Sequence, residues 1–471
     1  MGADAAPQRG TEMKVLLAAA EMAPVARVGG LAEAVSGLVR TLRDKGVEVE
    51  VVLPDYGDVR LEKQAETELE SPWWTGDIRV RSGRHRSAGR LSLIDVAGMA
   101  RPHPYIDENG QGWPDNDHRF MAFSAAIARL AERREPDILH LNDWHSAAAL
   151  GMLVDPPPTV LTIHTLGYQG YASRSWLEHL PVGTHHFSWY EGSNPLAGAI
   201  ALADRVIAVS PNYAREILTP EGGMGLHERL QAAGDRLVGI RNGIDAEIWN
   251  PASDPQIAAQ FDADDMSGRE ICRDHLLKLA GWSEPKPPIV ATVTRLVEQK
   301  GIDLLIEASR YLDRFPARLA VLGAGDAALA AALHDLAIEH PELVFFTEGY
   351  DVSLGHALFA GSDLFVMPSR FEPCGLAQMQ AMNYGSLPVV TDVGGLHDTV
   401  VDADEHKEGT GFVTDVSVSG IVDGIHRGVR SLRNANRRRS IQTRAMTIDW
   451  SWDEPASQHI ELYQKLLDRH A

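Results

Sequence analysis

The segment Pro368-Ser369-Arg370-Phe371-Glu372-Pro373-Cys374-Gly375-Leu376 gathers a carboxylate, a thiol and a run of backbone amides. The apolar stretch Asp363-Leu364-Phe365-Val366-Met367 before it reads as a buried strand, and Ala377-Gln378-Met379-Gln380-Ala381-Met382 after it as the first turns of a helix. A helix start offers unsatisfied N–H groups and the positive end of the dipole, so Gly375 and Leu376 suit a phosphate or a developing oxyanion. Glu372 would sit at the rim, either capping the helix or taking part in a reaction. Cys374 stands where thiol pKa values fall and cysteine nucleophiles arise. Arg295 and Lys300 follow a second strand-like run and are either surface charges or an anion grip. His164 closes the run Thr159–Ile163, where a histidine is either a satisfied core residue or a functional one.

The elements that must position these groups alternate in type. From Met13 the chain reads strand (Lys14–Ala20), Gly-rich turn (Val28-Gly29-Gly30), helix (Leu31–Lys45) and strand (Val47–Leu53), a βαβ unit. Apolar runs at 138–141, 159–163 and 205–209 continue the pattern with helical stretches between them, as a doubly wound parallel sheet requires. A second α/β series starts at Ile289 and runs through 318–322, 343–346, 364–367 and 387–390. Between the two, the turn-rich Trp249–Asp254 and Pro285-Lys286-Pro287-Pro288 mark a junction. The reading is therefore α/β, with two Rossmann-like domains at 13–250 and 251–448, a disordered leader at 1–12 and a final helix within 449–471. A chain of 471 residues, 44% of them hydrophobic, is long enough for two such cores.

Composition excludes several classes. A formal charge of −21 argues against a nucleic-acid partner, whose binding faces are usually basic. Cys272 and Cys374 alone give neither a disulfide framework nor a metal-ligand spacing, so no metal is expected and a reducing, cytoplasmic location is. No apolar run is long enough for a membrane span. The rival class is an NAD-dependent enzyme, because Gly323-Ala324-Gly325-Asp326-Ala327-Ala328 formally meets the dinucleotide fingerprint. It lies beyond the first strand of its half, which weakens the match. The run Asn434–Arg439 reads as a solvated helix face.

The nonapeptide around Glu372, with Gly29-Gly30-Leu31, Asp143-Trp144-His145, Thr162-Ile163-His164, Tyr168-Gln169-Gly170, Asn242-Gly243-Ile244-Asp245, Gln299-Lys300-Gly301 and Gly394-Gly395-Leu396, resembles the bacterial glycogen synthase and plant starch synthase family. The blocks fall in that family's order from about Met13 to the C-terminus. The resemblance implies the GT-B architecture, two Rossmann-like halves facing a cleft, and retaining transfer of a glucosyl-like group from a nucleotide sugar to the 4-position of a maltose-like or α-1,4-glucan acceptor, with no cofactor. It implies that Arg295 and Lys300 grip the donor diphosphate and that Glu372 stabilises the transition state without becoming a covalent nucleophile. His164 would lie against the sugar, and Tyr350 would stack on the base. Arg27, Gly29, Gly30, Asn242, Cys374, Gly375 and Leu376 would line the donor site, and Asp143, Trp144 and Thr165 would meet the sugar or acceptor. The last helix would cross back to the first half. A sugar-binding protein that had lost turnover would lack cleft charges such as Glu372, Arg295 and Lys300, which are present.

Departures from the family pattern cluster at the same places. Arg27 replaces a lysine, Glu33 an aspartate, Thr165 an asparagine, Ala377 a threonine, Ala197 a lysine and Met224 a tyrosine. A site that loses an amide, a hydroxyl and an ammonium changes the group it holds, because the lost partners discriminate strongly. Two donors follow: an ADP- or UDP-linked glucose, or a nucleotide-activated cyclitol joined to an amino-sugar maltoside, as in pseudo-glycosyltransferases of acarbose-type pathways.

Overall fold

The computed structural model describes residues 13–57, 59–283, 287–312, 314 and 316–470. The expected leader and residues 285 and 286 of the Pro-rich junction lie outside the described residues. The chain forms two compact units: one from residues up to Ala208, Ile217–Ile240 and Trp452 onward, the other from Val209–Glu216 and Arg241–Ser451.

The first unit holds a nine-stranded sheet. Its spatial order is 237–239, 205–208, 159–163, 138–142, 14–18, 48–54, 89–95, 78–85 and 62–69. The first seven strands pair in parallel, and the central ones at 14–18, 138–142 and 159–163 are buried almost throughout, because both faces are covered. The strands Ile78–His85 and Glu62–Leu69 are antiparallel, a departure from the expected all-parallel sheet. Glu62–Leu69 is rich in charge and mostly exposed, the composition that protects a sheet edge. The helix Gly30–Asp44 buries Ala34, Val35, Leu38, Val39 and Leu42 against the sheet at helical spacing. The last helix, Asp453–His470, packs on this unit: Trp452, Tyr463 and Leu466 join its core, and the hydroxyl of Tyr463 lies 2.7 Å from Nδ1 of His140. A three-stranded antiparallel sheet, Ala172–Ser173, Gly192–Ser193 and Ser188–Trp189, stands apart from the large one.

The second unit is a six-stranded parallel sheet in the order 344–348, 318–325, 289–296, 364–367, 387–391 and 412–414. Numbered along the chain this order is 3-2-1-4-5-6, that of the doubly wound fold. Residues 241–250 belong to this unit and not to the first. The reason is a buried cluster: Trp249 stacks on His356 at 4.4 Å, and Asp254 accepts from His356 at 2.6 Å and from the Tyr384 hydroxyl at 2.5 Å. The helix Pro211–Glu216 joins it through Asn212, whose N–H donates to Asp398, and Glu216, which accepts from the amide of Gly394.

Candidate active site

In the second unit, the strand Leu364–Met367 delivers the chain into the segment read first from the sequence. Glu372 is only 5% exposed, and its carboxylate accepts from Lys300 Nζ at 2.5 Å and from the Ser369 hydroxyl at 3.0 Å, both on Oε2. The capping reading therefore falls: the helix Ala377–Asn383 has Leu376 at its N-cap and no side-chain cap. Lys300 ends the short 3₁₀ turn Glu298–Lys300 just after the strand Ile289–Leu296, so parallel pairing of that strand with Leu364–Met367 brings the two charges together. Arg295, near the end of the same strand, is exposed, and among the described residues no partner engages its guanidinium.

Cys374 is buried, accepts from the backbone amide of Asn242, and has its thiol pushed up to about 12 by burial. Desolvation overrides the helix-terminus effect expected from sequence, so this thiol packs rather than attacks. Asn242 accordingly sits in the second unit, although its motif reads as part of the first domain. Gly375 turns at φ +70°, and Gln378 props the turn by donating to the carbonyls of Cys374 and Gly375 at 3.1 and 3.0 Å. Tyr350 follows the strand Val344–Glu348 and is 73% exposed.

The glycines of the formal dinucleotide fingerprint have another cause. A Cβ at Gly323 would lie 2.2 Å from the Thr294 carbonyl, and one at Gly325 would lie 2.3 Å from that of Leu296. They let two parallel strands run together as Thr294 pairs with Gly323 and Leu296 with Gly325, on the second strand of the unit and not the first. The NAD-dependent reading loses its motif.

In the first unit, Gly29 and Gly30 start the helix Gly30–Asp44. The turn is held by Glu21, 3% exposed, which accepts from the amides of Val28 at 2.6 Å and Gly29 at 3.0 Å and from the Tyr105 hydroxyl at 2.6 Å. Sequence reading missed Glu21 and Tyr105. The signal was there for Glu21: a carboxylate just past the first parallel strand, at the end where α/β ligand sites form. Arg27 and Glu33, two of the departures, form an ion pair at 2.8 Å.

Asp143 opens the short helix Asp143–Ala147 at φ +53°, a backbone region costly for a non-glycine residue. It is 5% exposed and accepts from the amides of His164, at 2.7 Å, and Thr165. Burial raises its carboxyl to about 7, those two amides only partly opposing the rise. His164 has Nε2 2.9 Å from Oδ1 of Asn142, and burial lowers its imidazole to about 3, so it stays neutral. Trp144 lies face to face with His145 at 4.2 Å, tilted by 30°. The Thr165 hydroxyl accepts from the amide of Gly167 at 3.1 Å. Met224, itself a departure, accepts from the side chain of Gln169 through its carbonyl, and Asn194, the N-cap of the helix that carries Ala197, donates to the same side chain. Among the described residues no three histidine, cysteine, aspartate or glutamate side chains gather as a metal cage, and no helix is long and apolar enough to cross a membrane.

Comparison with known proteins gives these arrangements a family. Residues 14–232 match the starch synthase catalytic domain, and residues 280–445 match glycosyl transferases group 1. Glycogen synthase 2 of Agrobacterium fabrum is 37% identical over 97% of this chain and 93% of its own length. The glycogen synthase of Thioalkalivibrio sulfidiphilus is 38% identical over 97% of this chain and all of its own. The catalytic domain of starch synthase IV from Arabidopsis thaliana, solved bound to ADP and acarbose, superposes with a TM-score of 0.87 at 33% identity, covering 98% of this chain and all of that one. Sucrose-phosphate synthase from Thermosynechococcus elongatus, at 19% identity and a TM-score of 0.64, shares the fold. The chain belongs to the glycogen synthase and starch synthase family: a nucleotide-sugar-dependent glycosyltransferase of the GT-B fold.

Proposed function

We propose that this enzyme transfers a glucosyl-like group, with retention, from a nucleotide sugar to the 4-position of a maltose-like or α-1,4-glucan acceptor. The observation that carries the reading is the Lys300–Glu372–Ser369 contact beside the Gly375 turn, in a chain that matches glycogen synthases over nearly its whole length. Arg295 is the cation available to a departing diphosphate, and the Gly375 and Leu376 amides at the helix start are further donors for it. Glu372, fixed by Lys300, supplies negative charge where the anomeric carbon becomes positive. Neutral His164, Asp143, Trp144 and Thr165 belong to the sugar and acceptor side, and Arg27, Gly29, Gly30, Asn242, Cys374 and Tyr350 to the donor side. The chemistry needs no cofactor.

A second reading, a nucleotide-activated cyclitol as donor, is favoured by the Arg27–Glu33 pair and by Thr165, whose hydroxyl is used on its own loop. One experiment separates the two: turnover of a panel of nucleotide-glucoses with maltose and longer malto-oligosaccharides, read by mass spectrometry. Stepwise hexose addition supports the glucan synthase. Nucleotide binding with no hexose added to any acceptor would falsify glucose as the donor and leave the cyclitol.

A further inference from the structure

We propose that Asn142 is a positioning residue for the transfer: its side-chain amide fixes both the tautomer and the seat of His164, so that the ring meets the substrate as a hydrogen-bond acceptor. Sequence reading passes over Asn142, because an uncharged residue ahead of the Asp143-Trp144-His145 block carries no sign of its own.

The orientation of the amide follows from what surrounds it. Strands 14–18, 138–142 and 159–163 are neighbours in the large sheet, and Asn142 pairs with Thr162 at the end from which His164 leaves. Asn142 is 1% exposed, and Ser146 holds its backbone twice: the serine hydroxyl accepts from the Asn142 N–H and donates to the Asn142 carbonyl, both at 2.9 Å. Nδ2 of Asn142 donates to the carbonyl of Ala18 at 3.1 Å. A backbone carbonyl only accepts, so the amide cannot turn over without setting two acceptors against each other. Oδ1 therefore faces Nε2 of His164, 2.9 Å away, and that nitrogen must carry the ring proton.

The consequence lies on the other nitrogen. Burial lowers the imidazole to about 3, so with one proton fixed on Nε2 the Nδ1 is a bare lone pair. Among the described residues none engages Nδ1 of His164, and unlike Nδ1 of His145 it is not sealed from solvent. A hydroxyl can donate to it, whereas an ionised phosphate or carboxylate oxygen cannot. The backbone of His164 is already held by the bond from its N–H to Asp143 at 2.7 Å, which leaves rotation of the ring as the freedom that Asn142 removes. A space-filling role would need only volume at position 142. What Asn142 supplies is one acceptor aimed in one direction.

This inference rests on the reading that sets His164 at the sugar, and its test includes a readout that needs no turnover. In protein labelled with 15N-histidine, the His164 ring signals, identified by their loss in His164→Gln, should show a protonated Nε2 and a bare Nδ1 in the wild type. Asn142→Leu stays close to asparagine in size and removes the acceptor. Its two ring signals should move toward their exchange average, and kcat should fall ~10²-fold while KM for the donor changes less than about threefold. Asn142→Asp keeps an acceptor for the Nε2 proton but places a charge in a buried site. Assayed near pH ~8.5, above the ordinary imidazole value of about 6.5, it should keep the wild-type ring signals and recover most of kcat, although it melts below Asn142→Leu. A packing role gives the reverse order, with Asn142→Leu the faster enzyme, and overturns the proposal. Wild-type ring signals in Asn142→Leu, or a protonated Nδ1 in the wild type, overturn it even if hexose transfer is intact. Averaged signals in Asn142→Leu, with Asn142→Asp the faster enzyme, support it with whichever nucleotide donor is turned over, so failure of the glucose reading leaves it standing. Wild-type turnover in a folded His164→Gln protein removes the ring from the reaction and the proposal with it.

Discussion

The two units bury their acidic site residues in opposite ways. In the second, Glu372 meets a full counter-charge, Lys300 at 2.5 Å, and a hydroxyl at 3.0 Å. In the first, Asp143 is buried with backbone amides alone for company, and its carboxyl rises to about 7, while His164 beside it falls to about 3. Ion pairing preserves charge, whereas desolvation removes it. The first arrangement is sensitive to losing a partner and the second to pH, which gives each unit its own means of disruption.

The largest effect is expected at the ion pair. Glu372→Ala should lower turnover by ~10²-fold or more, as loss of a preorganised charge in a reaction centre does. It also leaves Lys300, 17% exposed at its side chain, without its counter-charge, a loss below the ~3–5 kcal/mol that follows when a fully buried pair is broken on one side. Glu372→Gln keeps the Ser369 contact and separates the two effects: it should melt closer to wild type yet remain slow. Near-wild-type turnover in a folded Glu372→Ala protein removes this residue from the mechanism.

In the first unit the lever is acid. Burial holds His145 and His164 at about 3 and His459 at about 4, and lowers His140 well below 6.5. Each binds fewer protons folded than unfolded, so the stability it carries is present above pH ~6.5 and is lost as pH falls toward the folded value. Asp143 has the opposite sign: raised from 3.8 to about 7, it favours folding below 3.8 and loses that contribution as pH rises through 7. Four groups oppose one, so melting of this unit should drop by ~5–10 °C between pH 7 and pH 5. Asp143→Asn should steepen the drop, because it removes the one group among these five that opposes it. A melting temperature that is flat or rising on acidification would contradict the buried-histidine account.

These contrasts also show what could be read without coordinates. The strands 14–18, 159–163, 289–296 and 364–367 were legible because double-sided burial writes a largely apolar run, and Glu372 and Lys300 stood out singly because both lie in motif blocks; their pairing was not legible, since Lys300 read as a grip on the donor diphosphate and only the fold sets it on Glu372. The antiparallel edge was not, since a charged, exposed strand such as Glu62–Leu69 has no apolar run to announce it. At Cys374 the helix start alone suggests a reactive thiol while the resemblance implies packing and sugar contact; sequence says nothing of its depth, and depth raises the thiol and favours packing. Asn242 was assigned to the wrong half because the stacking of Trp249 on His356 joins residues distant in sequence.

Glu21 gives the next effect in size. It touches only backbone and Tyr105, so it positions the Gly29–Gly30 turn and does not react. Glu21→Ala should lower kcat/KM for the donor by about tenfold through misplacement of that turn, and Glu21→Gln, which can still accept from the two amides, should recover most of it. Equal loss in both variants would mean that the charge of Glu21, and not its geometry, matters.

The smallest effect is expected at Arg27 and Glu33, and it bears most directly on what makes this family member different. Each is a departure from the family pattern, and they meet as a partly exposed pair, 44% and 26% open at their side chains. An exposed ion pair contributes little by itself, ~0.2–1 kcal/mol. Its value here would be geometric, since a guanidinium held at Nε by a carboxylate presents a fixed fork where lysine presents a mobile point charge. Arg27→Lys and Glu33→Asp should therefore each change the preference among nucleotide donors by a few-fold while shifting the melting temperature little. The double variant should recover a family-like donor profile instead of adding the two losses. Strict additivity would show that the two substitutions act independently, and any shift in donor preference would then be sought at Thr165 and Ala197.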